Sequence, residues 1–261
     1  MSDLRGRLHA SGLRATSDIL DDMVARATKE RWSPTQLFEY VVDLEEKDRV
    51  RRSLERRLSD SRLGRFKPMT DFDYAWPTKI ERELVERSLT VDFLPDARNI
   101  VLVAPQGLGK TMIAQNIAHQ AILKGHSVLF VTAAQLLLDL GSQESSRALD
   151  RRLKHYAKVS LLAIDEVGYL AFDNRNADLL FQVVSRRYEK KSLVLTTNLA
   201  FADWPTVFPN ATCATALIDR IIHHADVIAI EGDSYRLREA KERARSRPSP
   251  SDDNPTKPRK Q

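Results

Sequence analysis

One eight-residue run constrains this 261-residue chain more than any other feature. Ala104-Pro105-Gln106-Gly107-Leu108-Gly109-Lys110-Thr111 follows the apolar run Asn99-Ile100-Val101-Leu102-Val103 and leads into the helical pattern Met112-Ile113-Ala114-Gln115-Asn116-Ile117-Ala118. This is the pattern of a P-loop in its required setting, between a strand and a helix. Its glycines let the backbone curl so that successive N–H groups, from Gly107 through Met112, point at phosphate oxygens. The helix N-terminus adds its dipole. Lys110 is expected to reach the β and γ phosphates of a nucleotide, and Thr111 to offer its hydroxyl to Mg²⁺. Ala104 stands where the full pattern begins with glycine. Alanine takes positive φ poorly, so the loop entrance is expected to differ there.

Four further short apolar runs accompany the first, at 127–131, 160–164, 192–196 and 227–230, and amphipathic helical stretches separate most of them. That alternation predicts an α/β fold with a five-stranded parallel sheet covered on both faces. The run Leu161-Leu162-Ala163-Ile164 ends in Asp165-Glu166, about 55 residues after Lys110. Carboxylates at the C-terminal edge of such a sheet lie where it presents ligands. Asp165 is expected to hold Mg²⁺ and Glu166 to take a proton from the attacking water, which reads as nucleotide hydrolysis. Asn198, after Leu195-Thr196-Thr197, could orient that water, although Asn at a strand end is commonly a turn residue.

Outside this core the chain divides by composition. Residues 1–67 read as a small all-helical unit. Ser33-Pro34-Thr35-Gln36 forms a helix start with a capping box, and Leu37, Val41, Leu44, Leu54 and Leu58 supply a helical stripe for burial. Residues 68–244 form the α/β unit, entered through a connector in which Thr78-Lys79-Ile80-Glu81 predicts a second capping box and a helix to about Ser88. Residues 245–261 are rich in Ser, Pro, Asp and Lys without apolar anchors, and read as a disordered basic tail. Only about 60 residues follow Asn198, too few for a full helical lid domain beside such a tail. The single cysteine, Cys213, excludes a disulfide framework. No apolar run approaches the ~18 residues of a membrane span, so a soluble, cytoplasmic protein is expected.

Charge is unevenly placed. The net +5 arises from basic segments at both ends, 15 Lys+Arg against 12 Asp+Glu in residues 1–67 and 9 against 4 in residues 236–261. The middle is mildly acidic. Such a layout suits a nucleic-acid partner better than a small neutral metabolite. Arg49 to Lys67 holds eight bases against Glu55 and Asp60. On one continuous helix Arg49, Arg52 and Arg56 share a face, and with Arg57, Arg65 and Lys67 they are the candidates for following a phosphate backbone. A solvated helix face is the competing reading. Downstream, Ala216-Leu217-Ile218-Asp219-Arg220-Ile221-Ile222-His223-His224 reads as a helix. Arg220 is either an ordinary surface arginine or a finger inserted into a neighbouring subunit's nucleotide site. Adjacent residues on a helix point about 100° apart, so His223 and His224 are not expected to chelate a metal together.

The blocks LLAIDEVGYL, LLFQVVSRRYEKKSLVLTTN, FADWPTVF and ALIDRIIHHADVIAIEGDSYRLRE, in this order behind the P-loop, resemble the IstB family. These are AAA+ ATPase helpers of insertion-sequence transposition, related to helicase loaders of the DnaC and DnaI type. The resemblance runs from about Leu4 to Glu239 and includes RRSLERRLSDSRLGRFKPMTDFDY. It implies Lys110 and Thr111 as Walker A contacts, Asp165 and Glu166 as Walker B, Asn198 as sensor 1 and Arg220 as the trans-acting finger. It sets Phe72 and Tyr74 near the adenine, where simple linker packing is an equally good reading of the residues, and it leaves Arg236 a minor candidate for the nucleotide. ATP and Mg²⁺ are the implied cofactors. Duplex DNA, a transposase and further copies of the chain, in a ring or helical filament, are the implied partners. A helicase loader acting on single-stranded DNA is the alternative.

Overall fold

A computed structural model describes residues 2–169, 172–209 and 211–239. The tail expected at 245–261 lies outside the described residues. The N-terminal region is helical: α1 (Ser2–Ala10), α2 (Arg14–Asp18), α3 (Leu20–Glu30) and α4 (Pro34–Asp60). The capping box that opens α4 is formed, with Ser33 Oγ accepting from the Gln36 N–H and the Gln36 side chain accepting from the Ser33 N–H. The leucine stripe is only half used. Leu37, Val41, Leu44 and Leu54 are part-buried, whereas Leu58 is exposed. The buried residue of α4 is Glu45, whose carboxylate accepts from the Thr16 N–H at 2.8 Å in the first turn of α2.

The rest of the chain runs β1 (Lys79–Ile80), α5 (Arg82–Leu89), β2 (Asn99–Val103), α6 (Lys110–Leu123), β3 (Val128–Thr132), α7 (Ala133–Gly141), α8 (Ser146–Lys158), β4 (Leu161–Val167), α9 (Asn174–Arg187), β5 (Ser192–Thr197), α10 (Ala211–Ile222) and β6 (Ala225–Glu231). The sheet order is β1-β6-β2-β5-β4-β3, parallel throughout its five long strands. Buried residues of α7, α8, α9 and α10 pack on one face, and those of α5 and α6 with Leu63 pack on the other. Near-continuous apolar strands are what a sheet buried on both faces requires. Following β6, the described chain lies against the loop before α6, with residues 235–239 helical.

Two sequence expectations are corrected. The helix foreseen from Thr78 begins instead at Arg82, and Lys79–Ile80 form a sixth strand antiparallel to β6. The Thr78 N–H that a helix start would leave for capping donates to the Glu231 carbonyl at 2.9 Å. Pairing along a sheet edge overrides a local capping pattern. The helix foreseen through His224 stops at Ile222, because the chain must turn to enter β6 at Ala225.

Candidate functional site

The carboxyl ends of β2, β4 and β5 converge on the loop 104–109. Gly107 and Gly109 take φ of 81° and 83°, the left-handed region that L side chains enter at a cost. Space is equally limiting: a Cβ on Gly107 would sit 2.1 Å from Ser234 Oγ, and one on Gly109 would sit 2.5 Å from the Phe72 ring. Ala104 is buried, does not adopt positive φ, and donates its N–H to the Thr197 carbonyl at 3.2 Å. The missing first glycine is thus accommodated as one more residue tied to β5.

Lys110 is folded back onto this loop, donating to the carbonyls of Ala104 at 2.6 Å and Pro105 at 2.8 Å. Burial pushes its pKa down; Asp165 and Glu166 pull it up and Arg236 pushes it further down. Asp165 is almost fully buried, and its Oδ1 accepts from Thr111 Oγ1 at 3.1 Å and from Thr196 Oγ1. Thr196 Oγ1 in turn accepts from the Glu166 N–H at 2.9 Å. Glu166 itself is exposed with φ of 62°, at a bulge where the β4–β5 register shifts between Ile164 and Val167. The bulge sends two consecutive carboxylates to different places, one under the loop and one into open space.

That open space is a cavity of about 710 Å³. Gln106 through Met112 form its floor, with Glu166, Thr196 and Asn198 at one side. Phe72 and Trp76 form part of the opposite wall, and Tyr235 and Arg236 close one end. The closing segment is clamped: the Tyr235 N–H donates to the Gly107 carbonyl at 3.0 Å, and Trp76 Nε1 donates to the Asp233 carbonyl at 2.8 Å. The Arg238 guanidinium lies 4.5 Å from the centre of the Trp76 ring. Asn116 of α6 holds the linker below, accepting from the Met69 N–H and donating to the Lys67 carbonyl.

The structure brings Gly107, Leu108, Gly109, Lys110, Thr111, Met112, Phe72, Glu166 and Asn198 to one cavity, with Asp165 directly beneath Thr111. Tyr74 is outside it, edge-on to Phe72 at 4.8 Å and beneath the Arg82 guanidinium. Arg220 is also outside, donating to the Ala216 carbonyl and stacked 4.5 Å from the Phe181 ring. Thr196 and the Trp76–Tyr235 clamp escape a reading of the sequence. Thr196 is visible in the block LTTN, but nothing local shows that its hydroxyl meets a carboxylate 31 residues away.

The basic candidates separate as well. Arg49, Arg56 and Arg65 are exposed and, among the described residues, carry no ion pair. Arg52 is held by Asp48 at 2.6 Å, while Arg57 donates to the Ile122 carbonyl and Ser53 Oγ. Lys67 stands at the cavity mouth. The helical argument against the histidine pair also fails, since both residues lie past the end of α10. Their rings approach to 4.0 Å and both face Glu189, while Tyr188 Oη meets His223 Nδ1 at 2.7 Å. All three potential ligands are exposed.

The family described as IstB-like ATP binding protein matches residues 7–243. The protein named as the ATP-binding protein of insertion sequence IS21 from Pseudomonas aeruginosa is 33% identical over 220 residues, covering 84% of this chain and 83% of its own length. The one named for insertion sequence IS232 from Bacillus thuringiensis subsp. berliner is 37% identical over 207 residues, covering 78% and 80%. Among solved structures, the replication initiator DnaA bound to AMPPCP and single-stranded DNA superposes with a TM-score of 0.51 at 18% identity, over 67% of this chain and 56% of that one. That likeness shows the fold alone, an α/β core with a mostly parallel sheet. Among the described residues no helix is long and apolar enough to cross a membrane.

Proposed function

The chain belongs to the family of IstB-like ATP-binding proteins, and on that premise we propose that it hydrolyses ATP to govern its own assembly on target DNA and its engagement of a transposase. The observation carrying the catalytic part is the knot of Thr111, Asp165 and Thr196 beneath the cavity, with Glu166 freed from it by the bulge. The backbone N–H groups from Gly107 to Met112 take the phosphates. Lys110 exchanges its two loop carbonyls for phosphate oxygens. Phe72 offers a flat apolar face to the base, and Tyr74 supports Phe72 from behind.

The donor set suits Mg²⁺, because a hydroxyl and a carboxylate already meet at 3.1 Å. When bound there by Thr111 and Asp165, the ion would supply charge neutralisation for the phosphates. Glu166 accepts the proton of the attacking water, and Asn198 orients that water. Arg220 does not line its own cavity, which supports a role at the site of a neighbouring copy. Membership of this family and the exposed Arg49, Arg56 and Arg65 support duplex DNA as the surface on which ATP-bound copies assemble. Hydrolysis then releases them.

Glu166→Gln tests the hydrolytic reading. Turnover should fall by about 10²- to 10⁴-fold, with binding of a fluorescent ATP analogue retained. A parent protein whose turnover is already negligible and is unchanged by the substitution would show an ATP-gated adaptor instead, and robust turnover unchanged by it would remove Glu166 from the role of base. Electron microscopy with ATP, with and without duplex, tests assembly. Particles that form only with a helicase or single strands would replace the transposition reading by a loader.

A further inference from the structure

At the amino edge of the sheet, two separate turns bring three metal-binding side chains together. Glu189 lies in the turn between α9 and β5, and His223 and His224 lie in the turn between α10 and β6. Their candidate ligand atoms all fall within 4.8 Å of one another, and among the described residues no other group of three such side chains converges. Glu189 Oε1 is 3.4 Å from His224 Nε2 and 3.7 Å from His223 Nδ1. Ligand bonds of about 2.0–2.2 Å around a tetrahedral ion put neighbouring ligand atoms roughly 3.3–3.6 Å apart. The two edges that Glu189 makes are already close to that length.

The backbone beneath these side chains is held in place. Asn99, at the start of β2, ties both turns: its N–H donates to the His224 carbonyl at 2.7 Å, and its side chain donates to the Ile221 carbonyl and accepts from the Leu193 N–H. Arg187 donates to the Ser192 carbonyl at 2.6 Å and closes the turn that carries Glu189. Ligands mounted on fixed backbone lose little freedom when they close on an ion. Among the described residues Glu189 makes no salt bridge to a lysine or arginine, although Lys190 and Lys191 follow it; its ionic neighbours are the two imidazoles. Tyr188 Oη meets His223 Nδ1 at 2.7 Å and must yield that nitrogen to an ion. Its hydroxyl is then placed to bond a water in the ion's fourth position.

We propose that Glu189, His223 and His224 form a binding site for zinc or a similar divalent transition metal, with the fourth position open to water. Two imidazoles and one carboxylate select such an ion over Mg²⁺ or Ca²⁺, which favour sets made of oxygen alone. All three ligands are exposed, so the ion enters from solvent and serves as a staple. It joins the end of α10 to the turn after α9, the same two helices between which Arg220 stacks on Phe181. The site stands apart from the nucleotide cavity, whose lining contains none of these residues.

The test is isothermal titration of the untagged full chain with zinc chloride, in excess Mg²⁺ and without nucleotide, which would itself chelate zinc. The parent should bind a single zinc ion per chain. Glu189→Gln and His224→Gln should each weaken that binding by more than the roughly 10- to 100-fold that loss of a supporting residue costs. Zinc at about 100 times its Kd should raise the parental Tm by roughly 5–10 °C and leave both variants unmoved. With EDTA in place of zinc, both variants should melt with the parent, because the side chains are exposed. A parent that binds no zinc overturns the site. So does binding that survives intact in either variant, which would assign the ion to other side chains. A stoichiometry of one ion to two chains also overturns it, by placing the ion between copies.

Discussion

The two edges of the parallel sheet both bury polar groups and use them in opposite ways. At the carboxyl edge, Asp165 sits under Thr111 and Thr196, and the network opens through Glu166 and Lys110 into a cavity. At the amino edge, the fully buried Arg187 donates to the carbonyls of Tyr156, Ala157, Val159, Ser160 and Ser192. Asn99 beside it donates to the Ile221 carbonyl and accepts from the Leu193 N–H. Among the described residues no carboxylate pairs with Arg187, and burial pushes its pKa down to about 9. It stays charged at neutral pH because it gathers the negative end of α8 and the starts of two strands. One edge leaves its groups available for exchange, and the other seals them.

The sharpest way to break this contrast is Arg187→Met. The loss strands several buried carbonyls, so it should cost about 3 kcal/mol or more. For a domain of this size that corresponds to a fall in Tm of roughly 6–12 °C. Nucleotide affinity of the surviving folded protein should be unchanged, read by titration well below the new Tm. A variant that melts like the parent would show that the amino edge is no more structural than any surface. A loss of affinity without a loss of stability would show that the two edges are coupled.

Asn99→Ala is the gentler form of the same test. It leaves one buried donor and one buried acceptor without partners, at a cost of about 2 kcal/mol. Asn99→Asp keeps an acceptor for the Leu193 N–H but sets a buried, unpaired carboxylate against the Ile221 carbonyl, so it should melt below alanine at neutral pH. If Asp melts like the parent, position 99 is open to water and the amino edge is not sealed there.

These two residues also mark the limit of what local sequence carries. The P-loop, the paired acids and the strand–helix alternation are legible because each is a local pattern with a local cause. Phe72 and Asn198 reach the expected cavity, and the α/β core forms as expected. Arg187 is not legible. In the run Ser185-Arg186-Arg187-Tyr188 nothing distinguishes the arginine that pairs with Asp150 from the one buried against the strand starts. Thr78 misleads for the same reason: its capping pattern is sound, but β6, about 150 residues away, offers its N–H a sheet partner. What decides such residues is contact across the fold, which spacing does not carry.

Thr196→Val carries the comparison to the carboxyl edge, with the smallest expected effect on stability. Valine fills the same volume but removes the hydroxyl that donates to Asp165 and accepts from the Glu166 N–H. By the amino-edge rule the loss would appear as melting, yet two circumstances limit it. Asp165 keeps its bond from Thr111, and Glu166 lies beside an open cavity where water can reach its backbone. The cost in stability should stay near 1 kcal/mol. Turnover should suffer more, falling about tenfold in kcat with KM for ATP little changed, because Thr196 positions the carboxylates without gripping the nucleotide. Thr196→Ser should restore kcat, since it returns the hydroxyl and gives up only a methyl. If valine lowers Tm by as much as Asn99→Ala while kcat holds, the two edges obey one rule, and the carboxyl-edge network is scaffold rather than machinery.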